Sequence, residues 1–278
     1  MPHHHQTIKN AASLTGIGVH SGLQVKLRII PNPTPGIQFC RIDLGRAVVD
    51  LCPSTVVQAE RQTVLKNGDA IVMTPEHFLA ACAGLGLTAL TVELDGPELP
   101  ILDGSAAPFV HVLKVCGIQV LPHTIAPLQL NTPILLRDGT AHIAAFPNST
   151  YRLTHIAYYT EPYVGTQAFS IDLADPGAFE HEIAPARTHG RLADLKPLQQ
   201  KGLAKGASYE NTLALGKAGY LNPPRFANEI ARHKTLDMIG DLAMLNRPLR
   251  AHIVGYQNGH ALNQALVAAL AAKAVSEP

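Results

Sequence analysis

The sequence predicts an α+β protein made of two similar halves, each a two-layer α/β sandwich. In each half, strands with alternating apolar and polar residues precede a helix that carries a histidine near its start. A further strand, a DGS or NGH turn and a second helix then follow. The spacing also agrees, because 26 positions separate His77 from Asp103 and 25 separate His233 from Asn258. The repeated order predicts a pseudo-twofold duplication, in which equivalent helix starts can face each other across the interface.

The first half, predicted to span residues 1–122, contains mainly strands and two helices. The first helix follows several short strands, with Thr74 expected as its N-cap and Pro75 at its first helical position. The strand LTALTVEL comes next. A second helix is expected from about Ala106 to Val115, and Gly117 is expected to end it.

The second half, predicted to span residues 128–278, repeats this order. We place the boundary between the halves in Leu121 to Pro133, which has three prolines and no clear periodicity. Strands are expected from Ile134 to Tyr159, and a helix is expected near Leu192 to Lys201. A further helix is expected from Asn228 to Leu242, followed by the strand RAHIVGYQ, the turn NGH and a last helix.

The helix NEIARHKTLDMIGDL carries the first candidate metal ligands. Its residues His233, Asp237 and Asp241 follow each other at i, i+4 steps and therefore point the same way. An imidazole and a carboxylate one turn apart can hold two corners of a zinc tetrahedron. His77, at the equivalent helix start of the first half, offers a third ligand. The alternatives are a solvated helix face with a chance His/Asp pair, and a packed core histidine at His77.

Two further residues have the chemistry of a general acid–base pair. Glu76 adjoins His77 and is a candidate base for a water, while His260 opens the last helix and is a candidate proton donor. Asp241 could hold the His260 ring and favour its charged form. Each residue also has a simpler interpretation: Glu76 as a helix N-terminal carboxylate, His260 as a polar first-turn residue, and Asp241 as a solvated helix residue.

The composition excludes several classes of protein. The net charge is +1 without a long basic run, and tryptophan is absent, so nucleic acid is not expected as the partner. Four cysteines without a CxxC spacing indicate reduced structural thiols in a cytosolic protein. The start lacks a secretory signal and no apolar run reaches spanning length, so stable membrane insertion is not expected. We leave the run His3 to His5 out of the site.

Six stretches of the chain form a set of motifs: TGIGVHSG (Thr15 to Gly22), PEHFLAACAGLGL (Pro75 to Leu87), DGPELPILDGSAAPFV (Asp95 to Val110), ARTHG (Ala186 to Gly190), RHKTLDMIGDL and GHALN. Through them the chain resembles, nearly end to end, the UDP-3-O-acyl-N-acetylglucosamine deacetylases, zinc amidases that take the committed step of lipid A synthesis in Gram-negative bacteria. No single stretch is specific, but together they are.

The resemblance implies a fold and a set of site residues. The implied fold has a β-α-α-β core in each half, akin to the second domain of ribosomal protein S5. The implied site consists of zinc ligands His77, His233 and Asp237, the general base Glu76, the general acid or electrostatic stabiliser His260 with Asp241 behind it, an oxyanion-binding hydroxyl on Thr188, and Lys234 beside the metal.

The resemblance also implies an acylated, N-acetylated UDP-sugar as substrate, and here the sequence departs from the family. His189 stands where an aromatic residue is usual, and Gln257 stands where a lysine usually serves the nucleotide. The stretch from Asp194 to Asn211, which corresponds to the segment lining an acyl tunnel, is polar in composition. A diphosphate would therefore need other donors, of which the candidates are Arg187, Arg191 and Lys201.

We expect a monomeric zinc-dependent N-deacetylase. One alternative is a divergent deacetylase acting on another N-acetylated sugar. Another is a non-catalytic protein that binds zinc or a sugar nucleotide. A small-molecule kinase on a related fold is disfavoured, because the chain lacks a phosphate loop of the PxxxGLxSS kind.

Overall fold

The computed structural model describes residues 3–276, with side chains described as far as residue 273. Residues 1, 2, 277 and 278, which the predicted halves include, lie outside the described residues. The strands are β1 (His3–Ile8), β2 (Ala12–Ile17), β3 (Gln24–Pro31), β4 (Gly36–Arg41), β5 (Ala47–Asp50), β6 (Val56–Val57), β7 (Val64–Asn67), β8 (Ala70–Met73), β9 (Ala89–Leu94), β10 (Ile118–Ile125), β11 (Leu128–Gln129), β12 (Ile134–Asp138), β13 (Ala141–Pro147), β14 (Tyr151–Tyr158), β15 (Thr166–Asp172), β16 (His189–Arg191), β17 (Leu213–Leu215) and β18 (Leu249–Tyr256). The α-helices are α1 (Glu76–Gly84), α2 (Ala107–Val115), α3 (Leu192–Gln200), α4 (Glu229–Leu242) and α5 (His260–Ser276).

The two largest sheets have the same topology over five strands each. The first sheet has the order β2-β3-β9-β4-β5, and the second has the order β12-β13-β18-β14-β15, with β11 also pairing with β18. The central strands β9 and β18 are each antiparallel to one neighbour, β3 or β13, and parallel to the other, β4 or β14. This equivalence confirms the predicted duplicated α+β fold.

The helices α1 and α4 pack against each other between the sheets and join the two halves. One apolar core includes Phe39 and Phe78 from the first half and Ile239 and Ile253 from the second. The helices approach closely at Gly240, where an added Cβ would lie 2.0 Å from the backbone oxygen of Glu76. A side chain at position 240 would therefore push the two helix backbones apart.

The start of α1 differs from its prediction. Thr74 is not the N-cap, because that position belongs to Pro75 and Thr74 has a positive φ of 54°. The Thr74 hydroxyl instead donates to Glu98 Oε1 over 3.1 Å. Glu98 also accepts hydrogen bonds from the backbone N–H groups of His20 and Ser21, at 2.8 and 2.7 Å. The threonine thus helps to hold the GVHSG loop rather than cap the helix.

The connection between the halves is more regular than predicted. Strand β10 extends to Ile125 and pairs antiparallel with β1 at the start of the chain, and β11 begins at Leu128. Long-range pairing therefore makes strands in the stretch from Leu121 to Pro133, which has no strand periodicity of its own. The division into residues 1–122 and 128–278 stays a prediction.

Two other expectations concern the chemistry of the chain as a whole. All four cysteines are free thiols, and three of them are buried, as expected for structural cysteines. Between residues 3 and 276, no helix has both the length and the apolar character needed to cross a bilayer.

Candidate active site

Three side chains from α1 and α4 converge in the interface between the halves. The ligand atoms of His77, His233 and Asp237 all lie within 4.8 Å of one another. Asp237 Oδ1 is 3.3 Å from Nε2 of His233, one helical turn earlier, and 3.8 Å from Nε2 of His77. The structure therefore brings together the three residues that the sequence suggests as metal ligands.

The chemistry of these three residues fits a divalent metal ion. Burial, followed by the neighbouring His233, lowers the pKa of His77 to about 3, and burial also lowers the pKa of His233. Burial alone would raise the pKa of Asp237, but the nearby histidines and Lys234 hold it well below its usual range. Two neutral imidazole nitrogens and one carboxylate oxygen match the donor set of catalytic zinc sites.

Neighbouring groups orient two of these ligands. His233 Nδ1 lies 3.1 Å from the backbone oxygen of Ala186, so a proton on Nδ1 can be donated there while Nε2 keeps its lone pair. Lys234 Nζ donates to Asp237 Oδ2 over 2.9 Å, which leaves Oδ1 directed at the imidazoles. His77 Nδ1 is buried and has no hydrogen-bond partner among the described residues.

Glu76 lies next to this group and is 2% exposed. Its Oε1 is 3.9 Å from His260 Nε2, and its Oε2 accepts a hydrogen bond from the backbone N–H of Thr63 over 3.4 Å. Burial raises the pKa of Glu76 to about 8, against the opposing effect of His260 and with a contribution from Asp241. A carboxyl group with a pKa near neutrality can both accept and return a proton at physiological pH.

His260 is held by the completely buried carboxylate of Asp241. His260 Nδ1 donates to Asp241 Oδ2 over 2.8 Å, and the Thr63 hydroxyl donates to Oδ1 over 2.5 Å. Burial alone would lower the pKa of His260, but Asp241 and then Asp237 and Glu76 outweigh it and raise the pKa to about 9. The ring is therefore charged at neutral pH, and the alternative of a solvated helix face at Asp241 is wrong.

Thr188 is half-buried and lines the same cavity, which has a volume of about 500 Å³. Its backbone N–H donates to the oxygen of Gly104 over 2.7 Å, and its own oxygen accepts from the N–H of Leu213 over 2.8 Å. Gly104 has a φ of 84°, and a Cβ there would lie 1.8 Å from the backbone oxygen of Asn211. The DGS turn thus fixes the strand that presents the Thr188 hydroxyl.

Seven of the eight predicted site residues line this cavity. Asp241 does not line it, because it lies behind His260. His189 also lines the cavity, where its ring packs edge-on against His233 and its Nε2 is 2.5 Å from the hydroxyl of Tyr159. The histidine thus supplies a flat ring at the place where the sequence resemblance implies an aromatic residue.

Of the three cations considered for a diphosphate, only Arg191 lines the cavity. Its guanidinium lies 5.0 Å from the centre of the Tyr159 ring and pairs with Glu161. Arg187 is buried and donates to Glu229 and to the backbone oxygen of Pro223. Lys201, the first residue after α3, pairs at the surface with Glu60. Arg187 is therefore a structural residue and not a phosphate donor.

The polar character predicted for Asp194 to Asn211 is wrong for the inner face of this segment. The segment borders a second cavity of about 350 Å³, which shares Thr188 and His189 with the first. The leucines of α3 are spaced three positions apart, so they share one helix face, and the charged residues Asp194 and Lys196 flank that face. The aliphatic side chains that line this cavity are Val19, Leu192, Leu195, Leu198, Ala204, Ala207 and Ala214.

Sequence reasoning missed two buried polar residues of the site. Thr63 contacts both Glu76 and Asp241, but it lies in a stretch of strands far from the helices and carries no recognisable signal. Asn263 donates to Asp241 Oδ2 over 2.7 Å. Its position three residues after His260 places both side chains on one face of α5, which is a signal that helical periodicity could have supplied.

The fold and the site together point to the class of hydrolases that carry a two-histidine, one-carboxylate metal site. The chain belongs to the LpxC family, UDP-3-O-acyl N-acetylglycosamine deacetylase, whose family model matches residues 5–272. Three relatives, each named UDP-3-O-acyl-N-acetylglucosamine deacetylase, cover nearly the whole chain. The relative from Anaeromyxobacter dehalogenans is 41% identical over 94% of this chain and 85% of its own length. The one from Myxococcus xanthus is 39% identical over 98% and 87%, and the one from Nostoc sp. is 39% identical over 92% and 94%.

Proposed function

We propose that this protein is a zinc-dependent hydrolase that removes the N-acetyl group from UDP-3-O-acyl-N-acetylglucosamine, the committed step of lipid A synthesis. The observation that carries the proposal is the convergence of His77, His233 and Asp237 beside the buried pair of Glu76 and His260. Membership of the deacetylase family supports the substrate. The cytosolic location remains a prediction from the sequence.

The three converging side chains would hold the metal ion. When bound, zinc polarises a carbonyl oxygen and lowers the pKa of a water. His77 and His233 offer neutral nitrogens for this purpose, and Asp237 contributes one negative charge. Lys234, hydrogen-bonded to Asp237, balances part of that charge and limits the movement of the carboxylate.

Proton transfer is assigned to Glu76 and His260. Glu76 accepts a proton from the attacking water, and charged His260 donates a proton to the leaving amine. Because Glu76 Oε1 and His260 Nε2 are only 3.9 Å apart, both groups can reach neighbouring atoms of a substrate bound beside them. The Thr188 hydroxyl, which makes no hydrogen bond to another described residue, is available to donate to the developing oxyanion.

The cavities support an acylated sugar nucleotide as substrate. The apolar cavity beside α3 opens from the site next to Thr188 and suits a hydrocarbon chain. On another side, Lys234 and Arg191 line a polar cavity of about 350 Å³ together with Gln257. Both cations pair with carboxylates, Asp237 and Glu161, but unlike Arg187 they also line a cavity, where they can donate to a diphosphate. Gln257 offers an amide where the family usually has a charge, so it can donate a hydrogen bond but cannot neutralise a phosphate.

Acetate release from UDP-3-O-acyl-N-acetylglucosamine, with and without a chelator, tests the proposal. We expect acetate from the untreated protein, loss of activity after chelation and recovery after zinc is added back. The metal content of each sample should change in parallel with the activity. Undiminished acetate release from metal-free protein would contradict zinc dependence, whereas no release from zinc-loaded protein would contradict the substrate.

Replacing Leu198 by glutamate tests the acyl cavity. A carboxylate on this wall would have to lose water when the hydrocarbon chain binds, so kcat/KM for a long-chain substrate should fall at least about tenfold. The same substitution should leave kcat/KM for a short-chain analogue close to the wild-type value. Equal losses for both chain lengths would mean that the acyl chain does not occupy this cavity.

A divergent deacetylase for another N-acetylated sugar is the second candidate function. It is favoured by one observation, namely that Gln257 replaces a lysine while Arg187 is engaged with Glu229. Turnover of UDP-3-O-acyl-N-acetylglucosamine and of acylated N-acetyl sugars without UDP, measured side by side, separates the two. A preference for the sugar without UDP would favour this second function.

A further inference from the structure

We infer that Asn263 is a positioning residue for the reaction, and that it acts by fixing the carboxylate of Asp241, which in turn holds the ring of His260. Asn263 lies on α5 one turn after His260 and is 1% exposed. Its Nδ2 donates to Asp241 Oδ2 over 2.7 Å, the same oxygen that accepts from His260 Nδ1 over 2.8 Å. The inference rests on the proposed function, because it concerns the residue assigned as proton donor.

The donors and acceptors along this chain of hydrogen bonds can be assigned from the chemistry of the side chains that form it. The Asp241 carboxylate can only accept, so the NH₂ group of Asn263 must face it and the amide oxygen must face away. That oxygen lies 2.6 Å from Nδ2 of Asn258, which is itself 4% exposed and must donate. The chain therefore runs in one direction, from Asn258 through Asn263 to Asp241.

Asp241 is held on both of its oxygens. Thr63 donates to Oδ1, while Asn263 and His260 donate to Oδ2. The carboxylate cannot rotate about its Cβ–Cγ bond without breaking bonds on both sides. Without Asn263, Oδ2 would be tied only to the movable imidazole, and Thr63 on Oδ1 would be the one other side chain that holds the carboxylate. Misplacement of a reacting group by even about 1 Å costs much of the rate of an enzyme.

Packing alone gives no reason for an amide at this position. Burying an amide costs free energy unless each of its polar atoms is hydrogen-bonded, and an apolar side chain of similar size would fill the same space. At the far end of the chain of amides, Asn258 Oδ1 is buried, and the Asn258 side chain interacts with the buried ring of His155. The amides are thus directed at Asp241, even though the core gains little from them.

A double-mutant cycle between positions 263 and 260 tests the inference. Asn263→Leu keeps the number and branching of the side-chain heavy atoms and removes the donor, and Asn263→Ala serves if the larger leucine does not fit and the variant does not fold. We expect kcat to fall about 10- to 100-fold, with KM and bound zinc as in the wild type. In a His260→Ala background, the same substitution should cause no further loss. Equal fold losses in both backgrounds would overturn the inference.

A second measurement does not depend on activity. In protein with ¹⁵N-labelled histidine, the Nδ1–H proton of His260 can be assigned by its absence from His260→Ala. We expect Asn263→Leu to shift or abolish this resonance, whereas Asn32→Ala, which removes an amide from a turn remote from the site, should not. An unmoved resonance in Asn263→Leu would overturn the inference. Failure of the proposed function would instead be seen as zinc-loaded wild type that releases no acetate, and the resonance still decides the role of Asn263.

Discussion

His233→Ala is expected to lose both bound metal and acetate release. The substitution removes one of only two imidazoles in the ligand group, and the remaining pair, His77 and Asp237, leaves the ion short of protein ligands. Activity should fall to the detection limit, and metal analysis of the purified variant should find well under one ion per chain. Adding zinc at concentrations that saturate the wild type should not restore full turnover.

The matched control is His252→Ala. His252 is half-buried on the second sheet, where its Nε2 is 2.9 Å from the Thr154 hydroxyl, and it has no contact with the ligand group. This variant should keep its metal and its activity. Full metal content in His233→Ala, with the same stoichiometry as in the control, would mean that the ion binds elsewhere.

Glu76→Gln is expected to abolish most of the hydrolysis while the metal stays bound. Glutamine has the size of glutamate but cannot take a proton from a water, and general-base catalysis contributes about 10²- to 10⁴-fold in rate. The loss should therefore be in kcat, with bound zinc and KM close to the wild-type values. Metal analysis together with steady-state kinetics measures both quantities on one preparation.

Glu180→Gln makes the same chemical change on the surface, where Glu180 pairs with Lys114. It should have wild-type kinetics. If Glu76→Gln also kept wild-type turnover, another group would have to serve as the base. If it lost its zinc, the role of Glu76 would be to hold the metal group together, not to transfer protons.

The helices were predictable because their signals are local. The helix predicted for Asn228 to Leu242 is observed as α4 (Glu229–Leu242), and the one near Leu192 to Lys201 is observed as α3 (Leu192–Gln200). Strand β10 was not predictable in the same way, because its partner is β1, far earlier in the chain. The prediction of Thr74 as the N-cap of α1 was wrong for a related reason, since its hydroxyl donates to Glu98 and not to its own helix.

The same difference between local and long-range signals applies to the residues of the candidate site. Residues in short motifs, such as His77 beside Glu76 or His233 four before Asp237, could be proposed from their spacing alone. Thr63 could not, because only the folded chain brings it within 2.5 Å of Asp241. The apolar cavity beside α3 was also hidden, since the average polarity of the segment conceals a face of leucines. The average composition of a segment does not show the direction in which each side chain points.

The contact at Gly240 has a consequence for the ancestry of this enzyme family. Since the helix backbones meet there, and the proposed ion would lie between α1 and α4, neither half alone could carry the site. His77 and His233 both lie near the starts of corresponding helices, α1 and α4, so a symmetric dimer of a single ancestral half would have brought one imidazole from each copy to the interface. Ala81 now stands at the place equivalent to Asp237, four residues after its histidine. Fusion of the two copies would thus have allowed one copy to provide the carboxylate ligand while the other provided the base.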